Sequence, residues 1–306
     1  MLGEYRRQGD LRRLFCTPTE FTSLPLPFVG PSLSNCRFPK DRISFQGRTF
    51  MTKLLAKFSV SDSKEIQIGE FFNKMVLYGT SGGGKSHAAA MLAITLLAEG
   101  VPVAYIPDCR VLEVDFFRTI RASLLMSFAN DDAICDRLIH ADPDADPRQL
   151  TILIRSIQQP IFWVVDQADF FDSAPEGRQQ ARMQLYNALQ ELIGPSTCLR
   201  VYSANDRTAK FLGSRNPDHD EATVFGGFDK VCKLLLHAAF GSMSSLQTEY
   251  KAWLHRYFSK VDDSKQLVLD NDQQHKLLWA TGAVPLELKE FLNRYRVKAA
   301  LETNSA

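Results

Sequence analysis

The sequence predicts an α/β protein in which a parallel sheet is followed by a smaller helical domain. Apolar segments of strand type alternate with segments of helical composition from about residue 75 onward. Such alternation is typical of right-handed βαβ units, which form a parallel sheet with helices on both faces and hence three layers. From about residue 241 only helical patterns follow, which predicts a small helical lid.

The elements can be placed in order along the chain. Predicted strands cover 75–78, 101–106, 160–165, 197–202 and 221–225. Predicted helices cover 50–58, 87–99, 111–130, 148–158 and 178–193 in the core, and 246–260, 272–280 and 285–300 in the lid. Together they predict an α/β core over 43–240 and a helical lid over 241–306.

The first 42 residues predict a peripheral lead-in. Residues 1–40 contain five of the 14 prolines and show no sustained periodicity, so we expect extended or loosely attached structure there. A turn is expected over 141–147, where aspartate and proline alternate with alanine.

Composition excludes several classes of protein. The 306 residues are 45% hydrophobic and 23% charged, which is ordinary for a globular protein, and the net charge of +1 gives no reason to expect nucleic-acid or membrane binding. The six scattered cysteines form no Cys-x-x-Cys pair, so neither a zinc site nor a disulfide framework is expected. Because no apolar run approaches the ~18 residues of a membrane helix and no secretory signal is recognisable, we expect a soluble intracellular protein.

The most specific motif follows the first predicted strand. It fits the pattern G-x-x-x-x-G-K-[ST], and glycines in such a loop let backbone N–H groups cradle an anion at a helix N-terminus. Lys85 is expected to reach the β- and γ-phosphates, and the Ser86 hydroxyl is expected to join a Mg²⁺ shell. The predicted ATP-binding residues are Gly79, Thr80, Ser81, Gly82, Gly83, Gly84, Lys85, Ser86 and His87.

A second predicted strand ends in a carboxylate. Asp166 follows the apolar segment 161–165, and a carboxylate there is expected to bind Mg²⁺ directly or through water. The next position, where many ATPases carry a catalytic glutamate, is Gln167, which can orient water but cannot take its proton. Asp169 and Asp172 could supply a carboxylate, or they could belong to a polar turn.

Polar residues also follow the fourth predicted strand. Asn205 could bind the attacking water or the γ-phosphate, with Ser203 as the alternative and an Asn-Asp turn as the plain explanation. Because the carboxyl ends of parallel strands share one edge of a sheet, the predicted catalytic residues are Lys85, Asp166, Gln167 and Asn205. A strand between the loop strand and the Asp166 strand favours the additional-strand division of ATPases.

Several cations could supplement this site. Arg48, at the start of a predicted helix, could meet the nucleotide or a neighbouring subunit, or could be exposed to solvent. The other candidates, each also explicable as a surface charge, are Lys289, Arg294 and Arg296 from the lid and Arg178 and Arg182 as trans-acting residues.

Six motifs together indicate a family resemblance. They are Val76-Leu-Tyr-Gly-Thr-Ser-Gly-Gly-Gly-Lys-Ser-His87, Tyr105-Ile-Pro-Asp-Cys-Arg110, Val165-Asp-Gln167, Tyr202-Ser-Ala-Asn205, Phe225-Gly-Gly-Phe228 and Thr281-Gly-Ala-Val-Pro-Leu286. As a set they resemble the NTPase module of crinkler-type proteins, which is similar to AAA+ and STAND ATPases. Phe45-Gln-Gly-Arg48 resembles the motif that opens the STAND module.

The resemblance implies a P-loop NTPase that uses ATP and Mg²⁺. Crinkler-type proteins often join this module to a ubiquitin-like region before it and a nuclease or kinase-like domain after it, and some act as effectors in the host cell or its nucleus. Residues 1–42 are too few for the ubiquitin-like region and few residues follow the predicted lid, so an effector activity is not expected from these segments.

The sequence therefore predicts a Mg²⁺-dependent, ATP-binding P-loop NTPase of the additional-strand type, with slow hydrolysis coupled to lid movement. The alternative is a non-hydrolysing nucleotide switch or interaction module, and a small-molecule kinase is a weaker third option because the lid lacks clustered arginines. A homo-oligomer is compatible with this reading, and a protein or nucleic-acid partner is left open.

Overall fold

The structure of the protein, a computed structural model, describes residues 1–30, 42–60, 66–68, 74–79, 84–141, 147–157, 159–171, 177–194, 198–203 and 231–235, together with positions 252, 253, 256 and 292. Its strands are β1 (Phe21–Pro25), β2 (Arg42–Gln46), β3 (Phe58–Val60), β4 (Ile66–Ile68), β5 (Lys74–Gly79), β6 (Val103–Ile106), β7 (Phe162–Val165), β8 (Cys198–Ser203) and β9 (Val231–Leu235). Its helices are α1 (Leu2–Arg7), α2 (Leu11–Cys16), α3 (Thr49–Leu55), α4 (Lys85–Ala98), α5 (Arg110–Val114), α6 (Phe116–Ser127), α7 (Asp132–Ile139), α8 (Pro147–Ser156) and α9 (Gln179–Ile193), with a 3-10 helix over Ala168–Phe171.

A parallel sheet forms the centre of the fold, as predicted. Its strand order is β6-β7-β8-β5-β9, and every neighbouring pair is parallel. The strand β8 therefore lies between β5 and β7. The first four strands of this sheet overlap the predicted segments, whereas β9 was not predicted and the predicted strand 221–225 lies outside the described residues.

Both faces of this sheet are buried. Met75 and Leu77 of β5 pack into one hydrophobic cluster with α1 to α4, while Val76, which points the opposite way, packs into a second cluster with residues of α5 to α9. Successive side chains of a strand alternate between faces, so a continuous apolar run is what a sheet covered on both sides requires.

The expectation of loose structure over residues 1–40 was wrong for the part that the structure describes. The two helices α1 and α2 and the strand β1 fill it, and Tyr5, Phe15 and Leu24 are fully buried. The Tyr5 hydroxyl donates to the Pro25 carbonyl at 2.8 Å. Helices of six residues make fewer than two turns, too few to show a helical period in the sequence.

Two predicted helices have different bounds in the structure. The predicted helix 111–130 is divided at Asp115, whose extended backbone ends α5 and whose carboxylate accepts a hydrogen bond from the Arg118 N–H at 2.9 Å to begin α6. The predicted helix 50–58 ends at Leu55, after which β3 pairs antiparallel with β4.

The predicted lid and the predicted turn over 141–147 lie almost wholly outside the described residues. At one of the described lid positions, the guanidinium of Arg256 lies 4.5 Å from the Phe21 ring centroid. The domain bounds at 42 and 240 stay a prediction. No helix among the described residues is long and apolar enough to cross a membrane.

Candidate functional site

The glycine loop follows β5 and Asp166 follows β7, and both strands end at the same edge of the sheet. Arg200 of β8 pairs with Val76 of β5 on one side and with Val165 of β7 on the other. From that shared row, β5 continues three residues to Gly79, and Asp166 is the first residue after β7. The carboxyl ends of both strands therefore point to the same edge, where α/β sheets bind their ligands.

The end of the loop begins a long buried helix. Gly84 is the N-cap of α4 and has a φ of 91°, a left-handed conformation that glycine adopts without strain. Lys85 and Ser86, the first two residues of α4, are only 4% and 6% exposed. The first turn of α4 carries no acidic side chain, so nothing on this turn opposes an anion at the positive end of the helix. Thr80, Ser81, Gly82 and Gly83 lie outside the described residues.

Arg48 lies against the loop and not in solvent, so the solvent-exposed alternative is wrong. Arg48 is 7% exposed, and its Nη1 atom occupies the space that a Cβ on Gly84 would need. The backbone holds it there because the Arg48 N–H donates to the Phe15 carbonyl at 2.7 Å and the Gly47 N–H donates to the Glu20 carbonyl at 2.9 Å.

His87 contributes an aromatic contact and no positive charge at neutral pH. Its ring stacks edge-to-face on Phe45, with 6.1 Å between the ring centroids. Burial, and then the nearby charge of Arg48, lowers the pKa of His87 to about 4. Among the residues that the structure describes, the cations beside Gly84 are therefore Lys85 and Arg48.

Asp166 is buried and tied to the neighbouring strand. Asp166 is 1% exposed, its Oδ1 atom accepts a hydrogen bond from the Gln167 N–H at 2.8 Å, and its own N–H donates to the Ile106 carbonyl at 2.9 Å. No group of three or more His, Cys, Asp or Glu side chains in the described part of the chain could hold a metal by itself. Mg²⁺ is commonly held by one or two carboxylates together with phosphates. Asp166 supplies one buried carboxylate at the sheet edge from which the glycine loop leads to Ser86.

Gln167 has an unusual backbone and a carboxylate beside it. Its φ is 56°, and it is the non-glycine residue with positive φ in the described part of the chain. Its Nε2 atom donates to Asp108 Oδ2 at 3.4 Å. Asp108, two residues beyond β6, is fully buried, and the sequence patterns predicted no role for it. It follows a predicted strand just as Asp166 does, and that position was the signal that could have identified it.

The two arginines considered as trans-acting residues differ in exposure. Arg182 is buried, lies 3.8 Å over the Phe170 ring and donates to the Phe170 carbonyl at 3.0 Å, so it braces the 3-10 helix of its own chain. Arg178 is 66% exposed and pairs with Glu113 at 3.5 Å. Asp169 is half-buried within the 3-10 helix.

Other predicted residues are not placed by the structure. Ser203 ends β8, but its side chain is not among those described. The residues that lie outside the described ranges are Asn205, Asp172, Lys289, Arg294 and Arg296.

Comparison with known proteins leaves the family open. No protein-family model and no curated protein matches the sequence. Two similar solved structures are AMPPCP-bound DnaA from Aquifex aeolicus (13% identity, TM-score 0.38) and Cdc6p from Pyrobaculum aerophilum (16% identity, TM-score 0.32). Each match covers 75% of this chain and 56% of the other, so the chain spans little more than half the length of either protein. Likeness at this level carries no argument about function.

Proposed function

We propose that this chain is a Mg²⁺-dependent P-loop NTPase of the additional-strand type, which binds ATP and hydrolyses it slowly. The observation that carries the proposal is the junction of β5, the glycine loop and α4. There a left-handed Gly84 precedes the buried pair Lys85 and Ser86, at the sheet edge that also bears Asp166. The strand β8 between β5 and β7 supports the additional-strand assignment.

Each residue of this junction has a role in the proposal. The loop N–H groups and Lys85 hold the β- and γ-phosphates, and Arg48 adds a second buried cation beside the loop. Ser86 and Asp166 hold Mg²⁺, which supplies positive charge to the phosphates. Gln167 orients the attacking water, with Asn205 as a second proposed contact.

Slow hydrolysis follows from the chemistry of Gln167. An amide can accept a hydrogen bond from water but cannot remove its proton at neutral pH. Attack of the water on the γ-phosphate therefore has no general base at position 167, where a carboxylate would accelerate it. Coupling of hydrolysis to movement of the helical lid over 241–306 is part of the proposal and rests on the sequence pattern alone.

Binding of labelled ATP tests the site directly. We expect Lys85→Ala to abolish Mg²⁺-dependent binding, whereas Lys53→Ala removes the same charge from an exposed position of α3 and should bind as the wild type does. Asp166→Asn should weaken binding in Mg²⁺ far more than in EDTA. If Lys85→Ala binds ATP as well as Lys53→Ala, the site assignment is wrong.

A non-hydrolysing nucleotide switch is the second candidate, and Gln167 in place of a glutamate favours it. Phosphate release separates the two candidates. Turnover above the Lys85→Ala background supports an ATPase, and binding without turnover supports the switch. Asp169→Ala and Asp172→Ala test whether either aspartate supplies a carboxylate, since loss of turnover in one of them would assign that role.

The relation to crinkler-type modules and to AAA+ or STAND ATPases is also a proposal, carried by sequence motifs. A role as an effector in a host cell or its nucleus rests on that relation. ATPase assays with and without DNA test nucleic-acid coupling, and light scattering with and without ATP tests homo-oligomer formation.

A further inference from the structure

We propose that Asp108 is a positioning residue that fixes the side-chain amide of Gln167 with its carbonyl oxygen toward the attacking water. The proposal rests on the proposed ATPase function and deepens it. It assigns a role to a buried carboxylate that the phosphate loop and the Mg²⁺ ligands leave unexplained.

The direction of one hydrogen bond carries the argument. An ionised carboxylate only accepts hydrogen bonds, so Asp108 Oδ2 can face the Gln167 amide only on its NH₂ side, and the two atoms lie 3.4 Å apart. The amide of an unconstrained glutamine can flip, which exchanges its donor and its acceptor. Asp108 removes that freedom, and the Gln167 Oε1 atom then points away from Asp108 as an acceptor for a water O–H.

Asp108 is held in place by its neighbour Arg110. Arg110 Nε lies 2.9 Å from both carboxylate oxygens, Arg110 Nη2 lies 2.5 Å from Oδ2, and the Arg110 N–H donates to Oδ1 at 2.9 Å. The Asp108 side chain is fully buried, and a buried carboxylate with such partners keeps its position.

The backbone fixes the distance between the two side chains. The Cys109 N–H and Sγ–H both donate to the Asp166 carbonyl, at 3.3 and 3.2 Å, so the turn after β6 is bonded to the turn after β7. Gln167 leaves that turn with a φ of 56°, a left-handed conformation that costs a non-glycine residue free energy and persists only where its surroundings impose it.

The consequence for the reaction is a water that is aligned but not deprotonated. Hydrolysis forms a bond between the water oxygen and the γ-phosphorus and breaks the bond to the leaving ADP oxygen. Gln167 accepts only a hydrogen bond, so the water proton passes to a phosphate oxygen. The double variant Asp108→Asn/Gln167→Glu exchanges the carboxylate and the amide between the two positions. The asparagine then donates the hydrogen bond, and the glutamate at position 167 can accept the proton of the water.

The first test is independent of turnover. In ¹⁵N–¹H spectra of the nucleotide-free chain, the Gln167 side-chain signals are assigned by their loss in Gln167→Glu. We expect them to move in Asp108→Asn and not in Asp132→Asn, which removes an exposed aspartate on α7. If Asp108→Asn does not fold, the wild type decides: a Gln167 NH₂ proton must exchange with water more slowly than those of the exposed Gln180. Unmoved signals, or exchange as fast as that of Gln180, overturn the proposal.

The second test is kinetic. Asp108→Asn should lower kcat about tenfold with KM and the ATP Kd unchanged, which corresponds to one lost charge-assisted hydrogen bond in the transition state. Gln167→Glu alone places two carboxylates together and should gain little, whereas the double variant should exceed the wild-type kcat. A single Gln167→Glu as fast as the double variant contradicts the proposal. If the wild type binds ATP but shows no turnover above Lys85→Ala, ATP hydrolysis fails as the proposed function, and the spectra still decide the Asp108 contact.

Discussion

The guanidinium of Arg48 occupies the space beside Gly84 that any larger residue would need. Arg48 is the N-cap residue of α3 and Gly84 is the N-cap residue of α4, so two helix starts from distant parts of the sequence meet at the end of the glycine loop. Position 84 requires glycine for two reasons: its backbone is left-handed, and Arg48 fills the space of a Cβ. Mutations can separate the effects of these two requirements.

Gly84→Ala should lower the free energy of unfolding by about 1–2 kcal/mol through the left-handed backbone alone. It should also weaken ATP binding, because the new Cβ displaces Arg48. Urea unfolding and ATP titration measure the two effects. The matched control is Gly177→Ala, which has a φ of 86° but no atom within 4 Å of its Cβ position and should leave ATP binding unchanged. Adding Arg48→Ala to Gly84→Ala should relieve the collision without restoring the lost affinity.

Gly47→Ala should destabilise the chain by about 1–3 kcal/mol because of overpacking. A Cβ at Gly47 would collide with the carbonyl oxygen of Thr17, and it would lie 2.6 Å from the Leu14 carbonyl oxygen. Both neighbours are backbone and cannot swing away. Gly3→Ala is the control of opposite sign, because a Cβ there meets nothing within 4 Å and alanine is the better helix former. Equal unfolding midpoints for the two variants would contradict the close approach of the end of α2 to Gly47.

His87 should make the stability depend on pH between about 6.5 and 4. Because the folded state holds the pKa of His87 at about 4, below the ordinary value of 6.5, the unfolded chain binds a proton in this window that the folded chain does not. The free energy of unfolding therefore falls as the pH falls, by at most about 3 kcal/mol, and the effect is absent above pH 6.5. His87→Gln should flatten this part of the stability curve, while His140→Gln, at an exposed position, should not.

Arg12 and Glu99 should be energetically coupled. They form a two-pronged ion pair of 2.5 and 2.9 Å between α2 and the end of α4, and Arg12 also donates to the Leu55 carbonyl at 3.2 Å. Both side chains are only partly exposed, so a double-mutant cycle with Arg12→Met and Glu99→Gln should give a coupling of about 1 kcal/mol. The cycle repeated with the exposed Arg7→Met in place of Arg12→Met should give none. An equal coupling in the two cycles would mean that the coupling does not come from the Arg12–Glu99 ion pair.

Local patterns in the sequence predicted much of the sheet. Each strand that leads to the site is a short apolar segment. Such a strand can be recognised in the sequence because a strand that is buried on both faces has apolar residues at successive positions. The six-residue helices α1 and α2 are too short to show a periodic pattern of apolar residues. The division between α5 and α6 depends on one hydrogen bond, from the Arg118 N–H to the Asp115 side chain. These elements were missed or merged because their stability comes from packing and capping and not from a repeated pattern.

The sequence alone predicted the glycine loop with its lysine and serine, because their spacing between a strand and a helix is itself the signal. It also predicted the carboxylate after β7, because Asp166 directly follows an apolar run. Only the tertiary structure brought Arg48 to Gly84 and Asp108 to Gln167, a pair 59 residues apart in the chain. The Asp108–Gln167 contact exists because β6 and β7 are neighbours in the sheet. The Arg48–Gly84 contact exists because the start of α3 packs against the start of α4. The fold therefore decided which cation lies beside the loop and which carboxylate faces the glutamine.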